Sequence, residues 1–196
     1  MSASGVESFY KFEDGKKKFY DVNSKKYINV PSSEDHYILD AFRENKQILR
    51  NPECTVHDIG DGVMCIEFQT KGNSIGEGIA KGINEAIDIA ERDGWNGIVI
   101  GNNDKQFSVG ANLMNMGMMA MQKNFDEIEK FLVGFQKILM RMRTCNVPVV
   151  SATHGFVMGG GLEVSIHCDA GIHASESYIG LVEAGVGLIP GGGGTK

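Results

Sequence analysis

Two glycine-rich runs constrain this chain more than any other feature of its sequence. Gly159-Gly160-Gly161 stands just before Glu163, and four consecutive glycines lie between Pro190 and Thr195. Because glycine has no Cβ, three glycines at the start of a helix let a ligand oxygen approach bare backbone N–H groups. Glu163 would lie on the first turn of that helix, and Glu183, on a separate loop, could face it. Backbone donors for an oxyanion beside two acid/base groups form a catalytic constellation.

The composition indicates a globular chain with one substantial core. Of its 196 residues, 42% are hydrophobic and 22% are charged. The net charge of −6 disfavours nucleic acid or an anionic membrane as a partner. No apolar run approaches the roughly 20 residues needed to cross a bilayer, and residues 1–5 lack the basic and apolar regions of a secretory signal. We therefore expect a cytoplasmic protein with no membrane span.

The cysteines predict free thiols and no metal site. The chain has four cysteines, none in a CxxC pair, and all lie in or beside apolar stretches, which favours buried thiols in a reducing compartment. His167, Cys168 and His173 are the candidate zinc ligands. Because His167 and Cys168 are adjacent, they would point in different directions on a helix, so we expect no metal.

The first 50 residues differ in composition from the rest and predict an N-terminal extension or linker. Its run Lys16-Lys17-Lys18 is either a phosphate contact or a solvated turn. The predicted elements are a hairpin over residues 19–22 and 27–30, and a helix that is capped by residues 31–35 and carries Ile38, Leu39 and Phe42 on one stripe.

Residues 51–196 alternate between short apolar strands and amphipathic helices, which predicts a mixed α/β core. Asn124 and Glu127 have the spacing of a capping box at the start of one helix. The predicted elements are a hairpin over 56–59 and 63–68, a helix over 75–90 stopped by Gly94, a strand over 97–101, a helix over 124–143, a strand over 148–152, a helix over 160–168 and a strand over 170–173.

The last residues predict the entrance of a further helix. Pro190 and the glycines after it form a loop, and Thr195-Lys196 would begin the next element. A native domain rarely stops at a helix entrance with nothing packed behind it. We therefore expect the chain to be a truncated fragment.

Three segments, in order, resemble the crotonase (enoyl-CoA hydratase/isomerase) superfamily. Residues 105–113 match its K-x-F-x-x-G-A-D-[IL] segment, residues 154–163 its G-x-x-x-G-G-G-x-E segment, and residues 178–195 its F-G-x-x-E…P-G-x-G-G-T segment. The resemblance implies a crotonase-like superhelix of ββα units over residues 55–196, incomplete at its C-terminus.

Residues 180–190 resemble one subgroup in particular. This subgroup is the hydratase part of a bacterial multifunctional 3-hydroxyacyl-CoA dehydrogenase/enoyl-CoA hydratase of fatty-acid β-oxidation. The resemblance implies a dehydrogenase part before residue 1, an acyl-CoA thioester as the substrate, no separate cofactor, and a homotrimer in intact members of the family.

The family also implies roles for individual residues. The backbone N–H groups of Ala111 and Gly160 would bind the thioester carbonyl oxygen, where the enolate-like transition state carries negative charge. Glu163 would take a proton from the water that attacks C3 of a trans-2-enoyl-CoA, and Glu183 would supply a proton at C2. The same matching assigns further substrate contacts to Val109, Gly110, Asn112, Leu113, Met114 and Gly159.

The sequence departs from the family pattern at two of these positions. Asn112 replaces the usual Asp, which keeps hydrogen bonding but loses a charge, and Met114 stands where many relatives carry Lys. Lys105 and Lys71 are therefore candidate phosphate contacts, with solvated surface lysines as the alternative. The methionines of residues 114–121 either form an adaptable lining for an acyl tail or belong to an ordinary core helix.

Three alternatives to hydration stay open. The same fold could serve an enoyl-CoA isomerase that uses one carboxylate, although two glutamates favour the addition of water. A nucleotide-binding module at residues 192–196 is disfavoured, because a P-loop requires Gly-Lys-[Ser/Thr] and here Thr195 precedes Lys196. The third alternative is an inert fragment that lacks part of its substrate pocket.

Overall fold

The structure, a computed structural model, describes residue 6 and residues 8–13, 16–31, 36–42 and 46–195. It contains three β-sheets and four α-helices within these ranges. The strands are β1 (Tyr10–Glu13), β2 (Lys16–Asp21), β3 (Lys26–Asn29), β4 (Gln47–Arg50), β5 (Cys54–Gly60), β6 (Val63–Phe68), β7 (Gly97–Gly101), β8 (Val149–Thr153), β9 (Phe156–Met158), β10 (Ala170–His173) and β11 (Tyr178–Gly180). The helices are α1 (Glu77–Asp93), α2 (Leu113–Met121), α3 (Phe125–Thr144) and α4 (Gly160–Ile166).

The N-terminal part forms an antiparallel sheet of β1, β2 and β3. The predicted hairpin is confirmed as β2 and β3, and the Asp21 carboxylate accepts hydrogen bonds from the amides of Asn23 and Ser24 in its turn. Strand β1 was not predicted. Its Glu13 forms ion pairs with Lys11 and Lys18, which lower the pKa of that carboxyl to about 2. The lysine run therefore lies in strand β2, and Lys18 in it is ion-paired with Glu13.

The predicted helix after residue 31 is wrong within residues 36–42. This segment contains only a three-residue 3-10 helix, Leu39–Ala41. Ile38 is extended, with φ −108°, so no helix begins before Leu39. Leu39 and Phe42 are nevertheless buried, as their apolar spacing indicated. The proposed capping segment, residues 32–35, lies outside the described residues.

The main sheet has six strands in the order β10-β8-β7-β6-β5-β4. Strands β4, β5 and β6 are antiparallel, and β6, β7, β8 and β10 are parallel. Arg50 of β4 pairs with Thr55 of β5, so residues 47–50 belong to the main sheet. The boundary at residue 50 between an extension and a core stays a prediction.

Helix α1 covers one face of the main sheet. Ile79, Ile83 and Ile87 are fully buried against it, and Gly94, with φ 74°, ends the helix in the left-handed conformation that glycine tolerates. Ile75 precedes this helix and instead forms a β-bridge with Ala111. The predicted helix is therefore confirmed from Glu77 onward, and its first apolar residue positions a loop.

Two other helix predictions need correction. Asn124 is the N-cap residue of α3, but its side chain makes no capping hydrogen bond, so the predicted capping box is wrong. Helix α4 begins at Gly160 as expected and ends at Ile166, two residues before the predicted end. Helix α2 contains the methionine-rich residues 114–121, for which a core helix was one of the two interpretations. No helix within the described ranges is long and apolar enough to cross a membrane.

A small parallel sheet of β9 and β11 joins the two glycine-rich regions. Met158 pairs with Gly180, and the Gly159 amide donates to the Gly180 carbonyl at 2.9 Å. The loop before α2 lies on the other side of β9, because Ser108 forms a β-bridge with Val157. These pairings bring the start of α4, the loop at residues 108–111 and the segment after β11 to one place.

Candidate active site

The amides of Ala111 and Gly160 lie side by side. A Cβ placed on Gly160 would be 3.2 Å from the Ala111 nitrogen, and one placed on Gly110 would be 3.1 Å from the Gly160 nitrogen. Gly110, with φ 96°, also has the left-handed conformation that favours glycine. Only residues without side chains here let the two backbone segments approach this closely.

The orientation of Ala111 follows from its bridge to Ile75. The Ile75 amide donates to the Gly110 carbonyl at 2.8 Å, and the Asn112 amide donates to the Ile75 carbonyl at 3.1 Å. Since successive amides of an extended chain point in opposite directions, the Ala111 N–H faces away from Ile75. Among the described residues, neither the Ala111 nor the Gly160 amide donates a hydrogen bond. Both are available to one ligand oxygen.

Glu163 is buried on the first turn of α4, with 3% of its surface exposed. Its Oε1 accepts hydrogen bonds from the amides of Gly193 at 2.9 Å and Gly194 at 3.0 Å. Backbone donors to a carboxylate form charge-assisted hydrogen bonds, which fix its position. The second glycine run therefore donates hydrogen bonds to Glu163, the carboxylate on the helix that the first glycine run begins.

Glu183 begins a 3-10 helix, Glu183–Val186, after β11. Its Oε1 lies 2.9 Å from the position that a Cβ would occupy on Gly159. Its Oε2 is buried and has no hydrogen-bond partner among the described residues. Buried polar atoms are nearly always hydrogen-bonded to protein or water, so this oxygen calls for a water molecule or a ligand group.

One cavity of about 460 Å³ contains both carboxylates and both amides. Four of the six predicted substrate contacts, Val109, Gly110, Leu113 and Gly159, also line it. Asn112 and Met114 are not among the lining residues; the backbone N–H of Asn112 donates to the Ile75 carbonyl, and the Met114 side chain is 77% exposed. Their contact with a substrate stays a prediction.

Much of the cavity wall was missed from the sequence. Aromatic and aliphatic side chains of α3 form one wall, and the segment after Glu183 forms another, so the cavity is mainly apolar. The sequence predicted the helix over 124–143 but gave its apolar residues no role in the site. The wall residues are Ile128, Phe131, Leu132 and Phe135 on α3, and Val182, Val186, Leu188 and Ile189 after β11.

The methionine-rich stretch fits neither of its two interpretations fully. Only Met116 lines the cavity, while Met118 and Met121 are exposed. Helix α2 is therefore not an ordinary core helix. Lys71 and Lys105 are exposed and lie outside the cavity lining, so their contacts with a phosphate also stay predictions.

The three candidate zinc ligands have separate partners. His167 Nδ1 donates to the Glu163 carbonyl at 2.8 Å, and His173 Nδ1 lies 2.6 Å from the Thr153 hydroxyl. The Cys168 thiol donates to the Val164 carbonyl, and burial raises its pKa to about 12. His167 therefore supports the backbone of the catalytic candidate Glu163.

An α/β fold with two carboxylates beside a pair of free backbone amides defines a class, proteins built for acid/base chemistry at an oxyanion. A family model described as enoyl-CoA hydratase/isomerase matches residues 58–196. The chain belongs to this family, and the resemblance seen in the sequence is confirmed.

Relatives and solved structures agree with this assignment. The probable 3-hydroxyacyl-CoA dehydrogenase of Bacillus subtilis is 39% identical over 197 residues, which cover 100% of this chain and 25% of the relative. The short-chain-enoyl-CoA hydratase of Clostridium acetobutylicum is 36% identical over 99 residues, 50% of this chain and 36% of the relative. This chain thus spans about a quarter of the length of the long relatives that it matches.

Two crystal structures show the same fold. The enoyl-CoA hydratase of Bacillus anthracis superposes with a TM-score of 0.67 at 24% identity, over 74% of this chain and 56% of that one. The protein from Geobacillus kaustophilus gives a TM-score of 0.67 at 25% identity, over 76% of this chain and 56% of that one. The predicted crotonase-like α/β fold is confirmed.

Proposed function

We propose that this chain carries the hydration site for trans-2-enoyl-CoA, which it converts to 3-hydroxyacyl-CoA. The observation that carries the proposal is the meeting of the Ala111 and Gly160 amides with Glu163 and Glu183 in one cavity. The Clostridium acetobutylicum relative, named as a short-chain-enoyl-CoA hydratase, supports the reaction class.

The two amides would receive the thioester carbonyl oxygen. Addition of water to the conjugated double bond places negative charge on this oxygen, and two N–H donors in a water-poor site stabilise that charge. Loss of one such donor costs on the order of 10² to 10³ in rate. The apolar walls of the cavity reduce solvent screening and so strengthen the interaction.

Glu163 is the proposed general base. Its Oε1 is occupied by the Gly193 and Gly194 amides, so Oε2 is the oxygen that would accept the proton of water. The hydroxyl oxygen of that water forms the bond to C3. A carboxylate that is held in place at hydrogen-bond distance supplies typically 10² to 10⁴ in rate.

Glu183 is the proposed general acid. Its Oε2 is buried without a protein partner within the described ranges, and Glu183 lines the cavity. As the hydroxyl adds to C3, the π pair of the C2=C3 double bond shifts toward the thioester and forms an enolate. When the enolate returns to the thioester, C2 takes a proton from Glu183. One proton leaves water and one enters C2, so the sum is the addition of one water molecule. A return of the proton from Glu163 to Glu183 resets the site.

We further propose that the site works within a longer β-oxidation enzyme. The Bacillus subtilis relative is named as a 3-hydroxyacyl-CoA dehydrogenase and is four times the length of the matched region, which supports a dehydrogenase partner in the same polypeptide. The Rickettsia felis relative is named as a putative fatty acid oxidation complex trifunctional enzyme. A cytoplasmic location, a homotrimer and the absence of a separate cofactor complete the proposal.

The test is a turnover assay on the purified chain with crotonyl-CoA. Hydration removes the absorbance of the conjugated thioester and adds the mass of one water molecule to the product. Glu163→Gln and Glu183→Gln should each abolish the reaction and leave affinity for the CoA ester nearly unchanged. Glu129→Gln, an exposed position on α3, is the matched control.

Three other outcomes would contradict the proposal. Migration of the double bond in a 3-enoyl-CoA without hydration would assign an isomerase. Binding of the ester without any turnover would assign an inert site. A thermal shift with ATP or NAD, and none with the CoA ester, would assign a nucleotide-binding module.

A further inference from the structure

We infer that Gln136 on α3 is a positioning residue, which holds Glu163 in place through the second glycine run. We define the glycine loop as Gly191–Gly194. This inference rests on the proposed hydration site and adds to it a side chain that neither touches the reacting atoms nor belongs to the motifs read from the sequence.

The side chain of Gln136 is tied directly to the glycine loop. Its Nε2 donates to the Gly191 carbonyl at 2.6 Å, across 55 positions of sequence. Gln136 also lies among the residues that line the cavity. Since α3 is a 20-residue helix packed into the core through Phe135 and Leu139, it provides a rigid support for this bond.

The other bonds of the glycine loop go to Glu163. The amides of Gly193 and Gly194 both donate to Glu163 Oε1. Among the described residues, these two bonds and the Gln136 bond are the hydrogen bonds of Gly191–Gly194. The side chain of Gln136 thus fixes the loop to α3, and the loop in turn fixes the carboxylate of Glu163.

Close packing transmits displacement along the loop. A Cβ on Gly192 would lie 2.7 Å from the Phe135 ring, and a Cβ on Gly193 would lie 3.1 Å from Leu139. The backbone therefore lies against α3 with no spare room on that side. If Gly191 moves away from α3, the amides of Gly193 and Gly194 must shift relative to Glu163.

A run of four glycines needs such an anchor. Glycine loses more conformational freedom on folding than any other residue, so an untethered run samples many backbone conformations. A shift of about 1 Å in a catalytic group costs on the order of 10²-fold in rate. Gln136 thus contributes to catalysis by restricting the loop, while its own amide group stays outside the chemistry.

The experiment compares Gln136→Met, which keeps the length of the side chain and removes the donor, with Gln136→Lys, which keeps an N–H donor. Lys137→Met, at an exposed neighbouring position, is the matched control. Each variant is assayed with crotonyl-CoA for kcat and KM. Hydrogen exchange of the Gly193 and Gly194 amides is measured on the same samples, with thermal unfolding as a check on folding.

We expect Gln136→Met to lower kcat by on the order of 10- to 100-fold, with a much smaller change in KM. Exchange of the Gly193 and Gly194 amides should accelerate, and Gln136→Lys should restore part of both properties. Unchanged exchange in Gln136→Met would overturn the inference, as would a rate loss equal to the loss of folded protein. Absence of turnover in the unsubstituted protein would contradict the proposed function alone, because the exchange measurement still tests the anchor.

Discussion

Glu183 lies directly over Gly159: its Oε1 is 2.9 Å from the point where a Cβ on that glycine would stand. Gly159 also has φ 49° and ψ −122°, a conformation that side chains disfavour. Gly159 therefore leaves room for the carboxylate of the proposed acid, and its backbone conformation also orients the amide of the next residue, Gly160. The two halves of the site depend on the same missing side chain.

Gly159→Ala should lower kcat for crotonyl-CoA hydration by more than the loss of folded protein accounts for. The methyl group displaces the flexible Glu183 carboxylate and strains the backbone by about 1–3 kcal/mol. The measurements are kcat and the free energy of unfolding. Gly185→Ala is the control, because a Cβ there meets nothing within 4 Å. Full activity of Gly159→Ala would show that Glu183 is not confined by this contact.

Gly192→Ala should act on the other carboxylate. Its Cβ would contact Glu163 Oε2 and lie 2.7 Å from the Phe135 ring, so the loop must move. We expect a loss of about 1–3 kcal/mol in the free energy of unfolding, the usual cost of overpacking, together with a fall in kcat. Gly134→Ala on α3, with no atom within 4 Å of the new methyl group, should leave kcat unchanged.

The buried pair of His57 and Glu67 gives a prediction about stability alone. His57 Nε2 lies 2.9 Å from Glu67 Oε2, and both side chains are almost fully buried in the β5–β6 hairpin. Removal of one partner leaves a buried polar group unpaired, so Glu67→Leu should cost about 3–5 kcal/mol of unfolding free energy. The double variant with His57→Leu should be less destabilised than the sum of the single variants, and additive losses in denaturant titrations would contradict the coupling.

Three cysteines should resist alkylation in the native protein. Burial raises the pKa of Cys54 to about 11 and the pKa values of Cys65 and Cys168 to about 12, above the ordinary thiol value of 9.0. Since the thiolate is the reactive form, iodoacetamide at pH 8 should modify these residues only after denaturation, as read by peptide mass mapping. Rapid native modification of Cys65 would contradict its burial.

The same pKa values predict a loss of stability at alkaline pH. Between pH 9 and about 11, the unfolded chain releases these thiol protons while the folded chain retains them. The unfolded state then binds fewer protons, so the free energy of unfolding falls as pH rises. Cys65→Ala should flatten this part of the pH profile, and an unchanged slope would argue against the shift.

Local patterns were sufficient for many elements. The alternation around Gly60-Asp61-Gly62 predicted the β5–β6 hairpin, and the spacing of Ile79, Ile83 and Ile87 predicted α1, because both patterns follow from side-chain burial. The helix after residue 31 was not predictable in this way. Its apolar stripe is real, but a stripe of two or three residues does not distinguish a helix from a single 3-10 turn.

The sequence by itself determined the chemistry that is available. Glycine positions, two glutamates and their order along the chain indicated the crotonase family and the candidate oxyanion donors, because backbone access is encoded by the absence of a side chain. The three-dimensional fold decided which groups meet. Two of these contacts join segments that are 30 to 55 positions apart: the hydrogen bonds from the Gly193 and Gly194 amides to Glu163, and the bond from Gln136 to Gly191. The apolar wall from α3 is a third contact between distant segments. No local sequence pattern encodes such contacts. They arise only in the folded chain, where a carboxylate on α4 and an amide side chain on α3 each meet the backbone of the second glycine run.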